Sequence, residues 1–295
     1  MSDTCDELGE GPRWHVARQE LIWVDILAGT VRWAGWSAGG LRVLRTVRLD
    51  RPVGAITPVA GGGYLAAAAD GLAWLEEAGT LTPLPGAAGT AAASPDGSLR
   101  MNDATCDPWG RFWAGSMPYD TRRTGAGRLV RLDPDLSLTT VLDAVTVSNG
   151  LVWNAAADRM WYADSADPVV WQFDVDPDSG AVRGRRPFAE LAGAVPDGMC
   201  RDDEDHVWVA AHGGAAVHRY DPHGRLVGTV DVPGVAGVTS CAFGGADGGT
   251  LFITTGHIGL DPAARAAAPL AGRLHAVDPG VTGPGLTEFA GRRFS

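Results

Sequence analysis

One pattern recurs six times along the chain and constrains the fold more than any other feature. A turn rich in Gly, Asp or Asn is followed by a short apolar strand built around an aromatic. The aromatics are Trp23, Tyr64, Trp113, Trp161, Trp208 and Phe252. They recur every 40–50 residues, roughly, which is the range of propeller blades. A third strand follows in most units, as at residues 127–133, 169–174 and 272–278, and several of these end in an Asp-Pro turn signal. A weaker fourth strand appears at residues 138–142 and 226–230. Six units of four antiparallel strands predict an all-β chain, a six-bladed β-propeller forming one domain over residues 1–295. Closing the ring removes the edges that open sheets must hide. Helix is nearly absent. Residues 261–268 are the one candidate, with Asp261 as N-cap and Pro262 in the first helical position. This segment and residues 117–127 are long connections at the same place in two units, where lids over a site are often found.

The net charge of −11 disfavours nucleic acid and anionic membrane as partners. With 45% hydrophobic residues the chain can bury a large core. No apolar run approaches the roughly 18 residues of a membrane helix. The polar, acidic N-terminus does not resemble a signal peptide, so a cytoplasmic location is expected. Cys5, Cys106, Cys200 and Cys241 show no metal-like spacing and are expected to be reduced thiols. All 24 basic residues are arginine, which excludes a lysine nucleophile or Schiff base. No His-Glu-x-x-His, phosphate loop or Gly-x-Ser-x-Gly elbow is present.

A polar position recurs in phase with the aromatics. Glu10, Asn102, Asn149 and Asp197 precede Trp23, Trp113, Trp161 and Trp208 by 11 to 13 residues. Each begins the first strand of its unit. First strands line the channel of a propeller, so these oxygen-bearing side chains converge at one mouth and can form a cage for a hard cation. The corresponding places near Val53 and Ser240 offer no carboxylate or carboxamide. Asn149-Gly150 and Asp197-Gly198 are also turn signals, and independent turns are the competing reading of each pair. His212 and His257 end second strands and can approach a channel mouth, although a structural role is the simpler reading.

Five segments give the chain a family resemblance. They are Leu8-Gly-Glu-Gly-Pro12, Arg100-Met-Asn-Asp103 with Asp107-Pro-Trp-Gly-Arg111, Ser148-Asn-Gly-Leu151, Pro196-Asp-Gly-Met-Cys200 and Thr239-Ser-Cys-Ala-Phe-Gly-Gly245. In this order they resemble the regucalcin/gluconolactonase family, which includes luciferin-regenerating-type proteins. The resemblance implies a six-bladed propeller that opens sugar lactones with one divalent metal ion. It implies metal binding by Glu10, Asn149 and Asp197, and substrate contact by Arg100, Asn102 and an acidic residue after Met117, here Asp120. Asp120 is shorter than the Glu expected there, and residues 254–257 depart from an expected Ala-Arg pair, leaving His257 as a further substrate contact. Asp197 is expected to act as general base. All-oxygen ligation makes Ca2+ the first choice, with Zn2+, Mn2+, Mg2+ and Fe2+ as alternatives. An organophosphate hydrolase on the same metal site and a non-catalytic calcium-binding propeller are the competing functions.

Overall fold

The computed structural model describes residue 2, residues 4–85, residue 94 and residues 97–292. Six antiparallel sheets follow one another along this chain. Their first strands are Gly9–His15, Val53–Pro58, Leu99–Cys106, Ser148–Trp153, Val195–Arg201 and Val238–Gly244. Each lies against the first strands of the neighbouring sheets, and the last returns to the first. The sheets are thus six blades around a central channel, numbered here in chain order.

Burial explains the strand composition. Val53–Pro58 and Ser148–Trp153 are buried at every residue because both faces meet other blades. The outer strands Gly40–Arg48 and Leu226–Asp231 are largely exposed and carry the polar residues. The repeat aromatics are core residues between blades, and three of them also satisfy an acidic group. Trp23, Trp113 and Trp208 donate their indole N–H to Asp6, Asp107 and Asp202 at 2.9, 2.9 and 3.0 Å.

The sixth sheet departs from the expected four strands. Among the described residues it has three: Val238–Gly244, Thr250–Thr255 and His275–Val277. The N-terminal segment closes the ring against it. Ser2 N–H donates to Leu274 O at 2.9 Å, Asp6 N–H to Gly272 O at 2.7 Å, and Leu8 bridges Gly256. The expected helix forms at Pro262–Ala267, with Ala264 N–H donating to the Asp261 carboxylate at 2.8 Å.

A feature with no counterpart in the repeat is a C-terminal strap, residues 282–290. Asp203 N–H donates to Thr282 O, Leu286 N–H to Trp14 O, Phe289 N–H to Pro58 O and Ala290 N–H to Gly110 O, at 2.9–3.0 Å. These partners lie at the lower ends of blades 5, 1, 2 and 3, so the strap crosses the channel end opposite Glu10. Phe289 is fully buried in the core beside Trp74. A cavity of about 250 Å³ remains in the lower channel, lined by Arg13, Trp153, Cys200, Cys241 and Leu286 among others. All four cysteines are free thiols; Cys200 and Cys241 stand 3.6 Å apart on adjacent blades. Among the described residues, no helix is long and apolar enough to cross a membrane.

Candidate active site

Every first strand loses its regular register at the same level. The irregularities fall between Glu10 and Arg13, Val53 and Ala55, Met101 and Ala104, Asn149 and Leu151, Pro196 and Met199, and Val238 and Ser240. A bulge re-aims side chains that strict alternation would send to opposite faces. The ring of bulges gathers polar side chains of different blades at the upper mouth. It also explains the two Asx-Gly pairs, which lie inside strands and are not turns. A Cβ on Gly150 would stand 2.4 Å from Asp197 O, and one on Gly198 would stand 2.0 Å from Ser240 Oγ. Glycine is required there because adjacent blades approach this closely.

A hydrogen-bonded chain ties three blades together at this level. Arg100 Nη1 donates to Asn102 Oδ1 at 2.6 Å. Asn102 Nδ2 donates to Asn149 Oδ1 at 2.6 Å and Ser148 O at 2.8 Å. Asn149 Nδ2 donates to Ser165 Oγ at 2.7 Å, which donates to Pro196 O at 2.6 Å, beside Asp197. Both Asn102 amide protons are therefore engaged within the protein, while Arg100 and Asn149 Oδ1 retain bonding capacity.

Three carboxylates share this buried region. Burial pushes the Glu10 carboxyl well above its usual range, and repulsion from Asp197 and then Asp103 adds to this, opposed by the Gly11 N–H and Arg100. Burial raises Asp197 too, opposed chiefly by His212. Asp103 is raised to about 6 by burial, against the pull of Arg13, with Asp197 adding to the rise. Burial lowers the Arg100 guanidinium, opposed by Tyr119, Glu10 and Asp197. Asp197 Oδ1 is buried with no hydrogen-bond partner among the described residues. His212 Nδ1 stands 3.5 Å from Asp197 Oδ2, longer than a sound hydrogen bond.

Buried carboxylates without matching positive charge are costly, and a divalent cation relieves that cost. The donor set of Glu10, Asn149 Oδ1 and Asp197 Oδ1 is all oxygen and suits a hard ion. A tighter acidic group lies elsewhere, at Asp202, Glu204 and His206. Its central carboxylate accepts from the Glu204 and His206 N–H groups, the Trp208 indole and Arg219. Arg219 also donates to Glu204, so a guanidinium already supplies the positive charge there. That group is a turn that anchors Trp208.

The structure brings Glu10, Arg100, Asn102, Asn149 and Asp197 together. Asp120 and His257 are not among their bonding partners. Asp120 is exposed and accepts from Arg122 Nε and Nη2 at 2.8 and 2.9 Å. His257 lines a separate polar cavity with Glu7, Arg32 and Arg265. Two other residues enter instead, Asp103 and His212. The pairing of Val195 with His212 puts the end of the second strand beside the start of the first. The signal for His212 was therefore its position in the hairpin that carries Asp197.

Residues 8–257 match the family model for the SMP-30/Gluconolactonase/LRE-like region. The chain belongs to this family. Among the SMP-30/gluconolactonase relatives, regucalcin of Danio rerio is 34% identical over 275 residues, covering 90% of this chain and 89% of that one. The pentonolactonase of Haloferax volcanii is 34% identical over 287 residues, covering 95% and 94%. Regucalcin from Agrobacterium tumefaciens, described as a calcium-binding protein, superposes with a TM-score of 0.87 at 25% identity, covering 98% of this chain and 95% of that one.

Proposed function

We propose that this chain hydrolyses sugar lactones at the upper channel mouth, with one divalent ion held by Glu10, Asn149 and Asp197 and with Ca2+ as the first choice. The observation that carries the reading is the buried Asp197 Oδ1, without a hydrogen-bond partner among the described residues, beside the buried Glu10 and Asp103 carboxyls. The family's pentonolactonase supports the reaction class. The calcium-binding regucalcin supports the choice of ion.

An ion bound there supplies Lewis-acid polarisation of a carbonyl and charge to offset a developing oxyanion. The protein's own groups do the rest. Asp197 accepts the proton of the attacking water as the new C–O bond forms at the lactone carbonyl. It returns that proton to the ring oxygen as the ring C–O bond breaks, which leaves a hydroxy acid. Arg100 donates to substrate oxygens and pairs with the carboxylate product. Asn102, with its amide protons engaged, holds Arg100 and Asn149 in register. His212 lies close enough to Asp197 to limit its rotation.

The test is a substrate panel on the purified protein. Five- and six-membered sugar lactones are expected to turn over at least about tenfold faster, in kcat/KM, than unsubstituted lactones of equal ring size, because a site built to bond hydroxyls rejects analogues lacking them. Equal rates would remove the sugar assignment. Faster turnover of an organophosphate ester would replace the reaction class.

A further inference from the structure

We propose that Tyr119, and not Asp120, reads the substrate at this mouth, with its ring and hydroxyl packed against a polyhydroxylated lactone held by Arg100. The inference rests on the lactonase reading above. Its geometry comes from strand register. Arg100 pairs with Met117 and Leu99 with Pro118 across blade 3. The ladder then continues one residue further, with Tyr119 N–H donating to Ser98 O at 3.1 Å. Residues two apart on a strand share a face. Tyr119 therefore stands on the Arg100 face, diagonal to it, a separation that an aromatic side chain spans. The two side chains are also close enough for Tyr119 to act on the ionisation of Arg100.

Tyr119 is unusual in its setting. The strand leading to it is buried throughout, Met117 included, yet Tyr119 itself is 52% exposed. A half-exposed aromatic beside a buried guanidinium offers a flat surface at the mouth. The flat, apolar C–H face of a sugar ring fits it, and the phenol offers a donor and an acceptor to ring hydroxyls. Asp120, one residue on, is committed elsewhere. Its Oδ1 accepts from both the N–H and the Nε of Arg122, and its Oδ2 from Nη2. Both partners of that ion pair are exposed.

The experiment compares Tyr119→Ala, Tyr119→Phe and Asp120→Asn with the parent on a six-membered sugar lactone and on unsubstituted δ-valerolactone. Binding of the corresponding sugar acid is measured in parallel by calorimetry. Tyr119→Ala is expected to lower kcat/KM for the sugar lactone by about tenfold, equivalent to about 1.4 kcal/mol. It should change the plain lactone by less than about twofold and weaken sugar-acid binding in step. Tyr119→Phe should fall between Tyr119→Ala and the parent, and Asp120→Asn should stay within about twofold on both substrates. These thresholds follow from the modest worth of a single aromatic contact. Unchanged preference and unchanged binding in Tyr119→Ala, or an Asp120→Asn loss as large as that of Tyr119→Ala, would overturn the assignment while the lactonase reading stands. A parent protein that neither hydrolyses the sugar lactone nor binds the acid would overturn both.

Discussion

Asp197→Asn should leave a folded propeller with kcat/KM for sugar lactones reduced by about 10³-fold or more, the upper part of the range for loss of a general base. The substitution keeps the size of the side chain and removes its ability to accept a proton. It also removes one charge from a set of buried carboxyls that repel one another. The ion-free variant should therefore be no less stable than the ion-free parent, because the lost charge had no adequate partner. Turnover on the substrate panel and thermal melts in chelator check both halves. Near-parental turnover in a folded variant would remove Asp197 from the chemistry. A variant that melts well below the ion-free parent would show that its carboxylate is structurally paired after all.

The second large effect concerns the opposite end of the channel. Phe289→Ala should destabilise the protein by about 3–5 kcal/mol, the usual cost of emptying a buried phenylalanine site. The ring is fully buried with Trp74, Leu84 and Phe112 in the core between blades 2 and 3. It also anchors the strap, whose backbone bonds join blades 5, 1, 2 and 3. Urea denaturation gives the stability change, and a loss below about 1 kcal/mol would mean that the strap is not structural. Under native conditions kcat/KM should barely change, since the strap lies away from Glu10 and Asp197.

The propeller was legible in the sequence because every second strand carries a large aromatic that packs into the core. Trp23, Tyr64, Trp113, Trp161, Trp208 and Phe252 are all buried, although their registers against the first strands differ. That Glu10, Asn149 and Asp197 share one end of the channel was legible because equivalent places in a ring converge. What alternation cannot reveal is a bulge. Met101 and Ala104 flank an irregular stretch, so Asn102 and its neighbour Asp103 both enter the polar region, where a regular strand would have parted them. The choice between His212 and His257 depended on which hairpin each one ends. His212 closes the hairpin of Asp197, whereas His257 follows a strand whose partner carries Ser240 and bonds through its backbone to Glu7. The strap was not legible at all. Residues 282–290 have neither strand alternation nor a repeat anchor, and their role rests on main-chain bonds and on one aromatic, Phe289.

The proposed lactone opening at the upper mouth requires a divalent ion there. Chelation followed by ion add-back probes this requirement, with turnover and melting temperature read on the same samples of the parent and of Glu10→Gln. The chelated parent is expected to keep less than about 1% of its turnover, as when electrostatic stabilisation of an oxyanion is lost. Ca2+ or another divalent ion should restore turnover and raise the melting temperature together, since a ligand that binds only the native state stabilises it. Glu10→Gln should show neither response at the same ion concentration. Full turnover in the chelated parent, or equal restoration in Glu10→Gln, would show that no ion at Glu10 takes part in the reaction.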